Sequence, residues 1–123
     1  MHINDLTSAV IGAAIEVHKE LGPGLLESAY HACLLYELGL RGLKVESEVP
    51  MPVVYKEIRL QQGYRLDLFV ENKLVVEIKA VEALHKKHIA QTLTYLKFTK
   101  QSVGLLLNFN EVRMTDGIKR LVR

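Results

Sequence analysis

Apolar residues recur at three- and four-residue steps at Leu6, Val10, Ala13, Val17 and Leu21, which predicts an amphipathic helix with Asn4 placed to cap it. Gly22 and Pro23 follow in the order that ends a helix. A second helical stretch runs from about Leu25 to Leu38 and stops at Gly39 and Gly42. From Lys44 onward the period shortens to that of strands. Val45–Val49 is the first, and Pro50 and Pro52 then mark a break or a sheet edge. Val53–Tyr55 and Ile58–Leu60 flank a Lys56-Glu57 turn, and Gly63 interrupts the run before a hairpin of Tyr64–Val70 and Leu74–Ala80. A third helix, about Ala83–Thr99, puts Ile89, Leu93 and Leu96 on one side. Ser102–Phe109 is almost continuously apolar, the mark of a strand covered on both faces. A helix of that length between two strands suits a right-handed parallel crossover. Asp116-Gly117 then turns the chain into a short last element carrying Ile118, Leu121 and Val122. The fold class is α/β, or mixed α+β: two helices, an antiparallel meander, a crossover helix and a parallel strand in one domain over residues 1–123.

Parity sets the register of the central hairpin. Leu66, Leu68, Val70, Leu74, Val76, Ile78 and Ala80 occupy even positions, whereas Arg65, Asp67, Glu71, Lys73, Glu77 and Lys79 are odd, with Phe69 and Val75 the apolar exceptions. A register mixing the two sets would bury charge. A three-residue loop at Glu71-Asn72-Lys73 keeps them apart, and Asn72 tolerates the left-handed backbone of such loops. Asp67 then stands opposite Glu77, with Lys79 two residues further along the same face. Opposed carboxylates repel by about 0.2–1 kcal/mol. Oxygen ligands facing each other suit Mg²⁺ or Mn²⁺, and the lysine suits charge developing on a phosphate. The plainer reading is a solvated polar face.

Two helices bring further polar groups. Glu27, Tyr30, His31 and Leu34 share one stripe of the second helix, where Glu27 could equally serve the helix dipole. His88, Gln91 and Tyr95 line a stripe of the third beside the apolar one. His18 and His31 read more readily as hydrogen-bonded, part-buried histidines than as ligands or a general base. Cys33 reads as packed in the helix interface.

Composition narrows the classes. Of 123 residues, 49% are hydrophobic, and 16 basic against 14 acidic side chains give a net charge of +2. A histone-like coat and an acidic tail are both excluded, so attraction to phosphate must be local. A single cysteine offers neither an intrachain disulfide nor a metal-cluster spacing. Short apolar runs give no membrane span, and the amino terminus lacks a secretory pattern, so a cytoplasmic location is expected.

Gly24-Leu25-Leu26-Glu27-Ser28-Ala29-Tyr30 resembles the signature of the GxxExxY protein family. That family is similar to the PD-(D/E)XK nuclease superfamily, whose hallmark of an aspartate on one strand and Glu-x-Lys on the next corresponds to Asp67 and Glu77-Ile78-Lys79. Gln91-Thr92-Leu93-Thr94-Tyr95 resembles the Gln-x-x-x-Tyr helix motif of RecB-like exonucleases. Leu66 stands where the superfamily name has proline. The resemblance covers about Gly22 to Phe109 and implies a restriction-endonuclease-like core. It implies that Asp67 and Glu77 bind Mg²⁺ or Mn²⁺, that Glu27 completes the shell directly or through water, and that Lys79 positions the attacking water. Gln91 and Tyr95, with Tyr30 and His88, would support the site or contact the substrate.

The leading expectation is a metal-dependent nuclease acting on nucleic acid, DNA before RNA, with Lys73, Lys86, Lys87, Lys97 and Lys100 near flanking phosphates. No aromatic stacking platform is evident. A non-catalytic interaction module that keeps the fold, within a repair or defence complex, is the alternative, and hydrolysis of a small phosphorylated molecule is a third. Ile11 and Ile15 leave a homodimer or a protein partner open.

Overall fold

A computed structural model describes residues 1–61 and 63–123. Its elements are α1 (Ile3–Leu21), α2 (Glu27–Leu40), β1 (Val45–Pro50), β2 (Val53–Tyr55), β3 (Ile58–Leu60), β4 (Arg65–Val70), β5 (Leu74–Lys79), α3 (Lys86–Thr99), β6 (Val103–Asn108) and β7 (Ile118–Val122). A 3-10 turn at Met114–Gly117 leads into β7. The order β1-β4-β5-β6-β7 makes one five-stranded sheet, and β2-β3 makes a separate two-stranded one. β5 and β6 are parallel, as the crossover reading requires, while the other pairs are antiparallel. The fold is therefore the expected mixed sheet flanked by helices.

Several boundaries differ from the sequence reading for local reasons. His2, not Asn4, caps α1: its Nδ1 accepts the Asn4 N–H at 3.1 Å, while Asn4 Oδ1 accepts from Arg120 at 2.9 Å. α2 starts at Glu27 and runs through Gly39 to Leu40, and the reversal comes at Gly42, whose φ of 78° only glycine adopts freely. α3 begins at Lys86 because His85 and His88 form a reciprocal capping box.

The sheet separates two apolar layers. α1 and α2 cover one face with Leu6, Val10, Val17, Tyr30, Leu34 and Leu38 against Leu68, Val70, Val76, Ile78, Leu105 and Leu107. α3 covers the other, where Tyr95 and Leu96 pack with Met51, Leu66 and Val75. Phe69 and Val75, the apolar exceptions among the odd residues, belong to this second layer. β6 is buried along its whole length, as a strand covered on both faces must be. Gly104 lets α3 approach: a Cβ there would lie 3.1 Å from a Leu96 methyl and 3.3 Å from the Val75 carbonyl. Parity fails at one place. Leu66 joins the α3 layer and not the layer of Leu68 and Val70. That break falls next to Asp67.

Candidate active site

β4 and β5 pair as Val70↔Leu74, Phe69↔Val75 and Leu68↔Val76. Continued by one step, this register sets Asp67 against Glu77, as parity predicts. Glu71 and Asn72 both take left-handed backbone in the connecting turn, at φ 53°, and the Glu71 carboxylate accepts the Lys44 N–H at 2.6 Å. At Asp67 the ordinary ladder stops. The Asp67 N–H donates to Glu77 Oε2 at 2.8 Å, and the Ile78 N–H donates to Asp67 Oδ2 at 2.8 Å. Each carboxylate thus occupies an N–H of the opposite strand. The other neighbour is interrupted at the same level: β1 pairs with β4 at Ser47↔Leu68 and Val49↔Leu66 but skips Glu48, whose φ is 52°. The sheet is locally opened around Asp67 from both sides.

Burial dominates the electrostatics. Glu77 is 3% exposed, and burial followed by the neighbouring Asp67 charge pushes its carboxyl up to about 8. Asp67 is raised by burial as well, against the opposing influence of the Ile78 N–H, Lys79 and His31. Lys79 is half-buried and acts on both acids, although the ion pair present among the described residues is Arg41–Glu37. Tyr95 is pushed up to about 12 by burial and then by the Glu77 and Asp67 charges, which places its hydroxyl in the field of both acids.

A cleft of about 210 Å³ on the α2 side is lined by Glu27, Ser28, His31, Glu48, Asp67 and Ile78. Glu27 sits in the first turn of α2 and its Oε2 accepts the Ala80 N–H at 3.3 Å, just past the end of β5. His31, one turn along, contacts Ser47 Oγ at 2.7 Å. On the α3 side, Gln91 and Tyr95 line a second cavity of about 320 Å³ with Met51, Val53, Tyr64, Thr94 and Phe98. Tyr30 stands away from both. It is fully buried, stacks on Phe109 with ring centroids 4.7 Å apart, donates to the Gly22 carbonyl and accepts the Leu25 N–H at 3.1 Å. It therefore shapes the loop that leads to Glu27. His88 Nδ1 accepts the His85 N–H at 2.9 Å, so its position is fixed by the α3 cap, and burial followed by the Lys79 charge lowers its pKa.

A sequence model of the PD-(D/E)XK nuclease superfamily matches residues 4–121. The chain belongs to the PD-(D/E)XK nuclease superfamily. No curated protein and no solved structure matches it. Its five-stranded mixed sheet, with an antiparallel meander and one parallel pair, agrees with a restriction-endonuclease-like fold. Nucleases of this superfamily act on nucleic acid and typically use divalent metal, which makes the donor set worth testing. Among the described residues no three His, Cys, Asp or Glu side chains are grouped to hold a metal unaided. Two facing carboxylates do fit a small hard cation that keeps most of its waters, because each leaves one oxygen outside the N–H contacts above. Their raised pKa values fit too, since a cation would relieve the repulsion that burial enforces.

Two titratable residues of this PD-(D/E)XK cleft, His31 and Glu48, lie outside the expected set of site residues. His31 lies one turn from Glu27 and was visible on that stripe. Glu48 carried no signal, because its place depends on a left-handed backbone that a glutamate pattern does not announce. His18 is hydrogen-bonded to the Glu111 carbonyl at 2.8 Å, as the structural reading of that histidine holds.

Proposed function

We propose that this chain, acting as one nuclease-like domain over residues 1–123, hydrolyses phosphodiester bonds in DNA with Mg²⁺ or Mn²⁺. The GxxExxY branch is the proposed place within the superfamily, on Gly24 to Tyr30. The single observation that carries the reading is the reciprocal Asp67–Glu77 arrangement, with Lys79 on the same strand two residues beyond Glu77. A buried pair of acids is a poor choice for stability alone. Their repulsion favours an occupant that is positively charged.

In this reading Asp67 and Glu77 hold the cation, and Glu27 contributes directly or through water. When bound, the cation supplies Lewis-acid polarisation of the scissile phosphate and a more acidic water. Lys79 orients the attacking water and offsets the negative charge that develops on the phosphate oxygens. The Asp67 and Ile78 N–H groups hold the two carboxylates in register, so neither acid has to reorganise as substrate arrives. Gln91 and Tyr95 steady the approach from α3.

The test is a cleavage assay on single- and double-stranded DNA and RNA, with Mg²⁺ or Mn²⁺, comparing wild type with Asp67→Ala and Lys79→Ala. The reading expects divalent-dependent cleavage that both substitutions abolish. Activity that survives both would remove the assigned roles. No cleavage of any substrate, together with no divalent binding, would favour a non-catalytic interaction module.

A further inference from the structure

Among the described residues, the β2–β3 hairpin keeps an apolar face that is largely exposed. Its register is Val53↔Leu60, Val54↔Arg59 and Tyr55↔Ile58, so Val53, Tyr55, Ile58 and Leu60 share one face and Val54 and Arg59 the other. Tyr55 is 61% and Ile58 56% exposed. Val53, on that same face, lines the 320 Å³ groove opposite Gln91, Thr94, Tyr95 and Phe98 of α3. The groove has a direction. Tyr95 packs in one cluster with Leu66, the residue before Asp67, and lies in the field of Glu77 and Asp67, so the groove's inner end lies toward the acidic pair while its outer end opens at the hairpin.

Charge beside the groove is mostly positive. The α3 segment carries Lys86, Lys87 and Lys97 and no aspartate or glutamate. Lys87 lies one turn before Gln91 on the groove stripe. The hairpin turn adds Lys56, whose ammonium lies 5.3 Å from the Tyr55 ring centroid, next to Glu57, and Arg65 follows Tyr64 in a neighbouring cavity that shares Met51 and Tyr64. In a chain of net charge +2, this is a local concentration facing an apolar and aromatic wall.

Resting on the nuclease reading of the site, we infer that this groove takes a single-stranded nucleic acid. Bases lie against Tyr55, Tyr64 and the apolar hairpin face, and phosphates lie toward the α3 lysines. Aromatic faces beside a mostly basic rim are what unpaired bases require, whereas a duplex keeps its base faces stacked and hidden. A second copy of the chain would meet the same lysine row with its own and would close the approach to Asp67.

The probe is a dye-labelled single-stranded DNA oligonucleotide, with its duplex as comparison, followed by fluorescence anisotropy in EDTA so that no cleavage intervenes. The single strand binds tighter than the duplex. Tyr55→Ala and Tyr64→Ala each weaken it by about tenfold, Tyr55→Phe restores binding, and Val54→Ala on the opposite face changes nothing. Thermal midpoints stay at the wild-type value, since both tyrosines are exposed. Equal binding by the tyrosine variants, or preference for the duplex, overturns the inference. So does a sedimenting dimer that Ile58→Asp dissociates, because the face would then belong to a second copy. The two readings fail separately. Tyrosine-dependent strand binding without cleavage at any metal removes the nuclease reading and leaves the groove, while cleavage with tyrosine-independent binding does the reverse.

Discussion

The molecule contains two antiparallel hairpins of opposite character. β4–β5 lies in the middle of the sheet, and Leu68, Val70, Leu74, Val76 and Ile78 are at most 2% exposed. β2–β3 has three residues per strand and, among the described residues, forms a two-stranded sheet of its own. The buried hairpin is rigid because its register is specified twice, by the turn and by apolar layers on both faces. That over-determination allows it to hold two opposed acids, an arrangement that a free hairpin would relieve by shifting or fraying. The exposed hairpin has no such support, since two strands alone are marginal in water. Its outward Tyr55 and Ile58 are therefore difficult to explain as scaffold. One hairpin holds opposed acids and the other leaves apolar surface exposed, and both are conditions that a bound ligand would relieve.

The contrast can be broken most sharply at the chemistry. Lys79→Ala should lower the turnover number for cleavage by about 10²–10³-fold, the scale of losing a transition-state charge partner. The folded state should be left intact, as denaturant midpoints would check. Next, Leu68→Ala in the buried hairpin should cost about 2–5 kcal/mol in urea unfolding, whereas Val54→Ala in the exposed one should stay within about 0.5 kcal/mol. Equal costs would mean that the two hairpins do not differ in support.

A pH experiment sharpens the comparison further. Glu77 titrates at about 8 in the folded chain against 4.5 for an ordinary glutamate, so the folded state binds more protons between those values. Metal-free stability should therefore fall as pH rises from about 4.5 to about 8, by a few kcal/mol in total. Glu77→Gln should flatten that slope, and Mg²⁺ should offset it in wild type. Circular dichroism melts in EDTA across that range give the reading. A smaller loss is expected at the loop before α2. Tyr30→Phe removes the donor to the Gly22 carbonyl and the acceptor for the Leu25 N–H, at a cost of about 1–2 kcal/mol by the same melts.

The sequence made both hairpins legible, the exposed one to its bounds at Val53–Tyr55 and Ile58–Leu60, but not the groove that the exposed one borders. Alternation through Leu66–Val70 and Leu74–Ala80 records strands with one apolar face, so register, loop and the Asp67–Glu77 opposition could all be read. The parallel return was legible because β6 is apolar without alternation. Leu66 broke the rule because the backbone opens at Asp67, where side-chain carboxylates replace ladder partners. Tyr30 was visible on its motif stripe, but its purpose in the Gly22–Leu25 loop depends on a turn of the chain that helical spacing does not encode. The groove beside α3 was hidden for a related reason. Tyr55, Tyr64 and Tyr95 are far apart in sequence and no short window shows an aromatic platform. The two-residue alternation of β2–β3 and the four-residue step of α3 had to be combined in space before one wall was visible.

The central claim is that the buried acids of β4–β5 are waiting for a cation. Calorimetric titration of Mg²⁺ into the metal-free protein between pH 6 and 8 tests it most directly. Binding requires Glu77 to release its proton, so affinity should rise by up to about tenfold per pH unit below about 8 and level off above it. Asp67→Asn should abolish that binding. A titration with no heat of Mg²⁺ binding at any pH, or binding that Asp67→Asn leaves unchanged, would contradict the account.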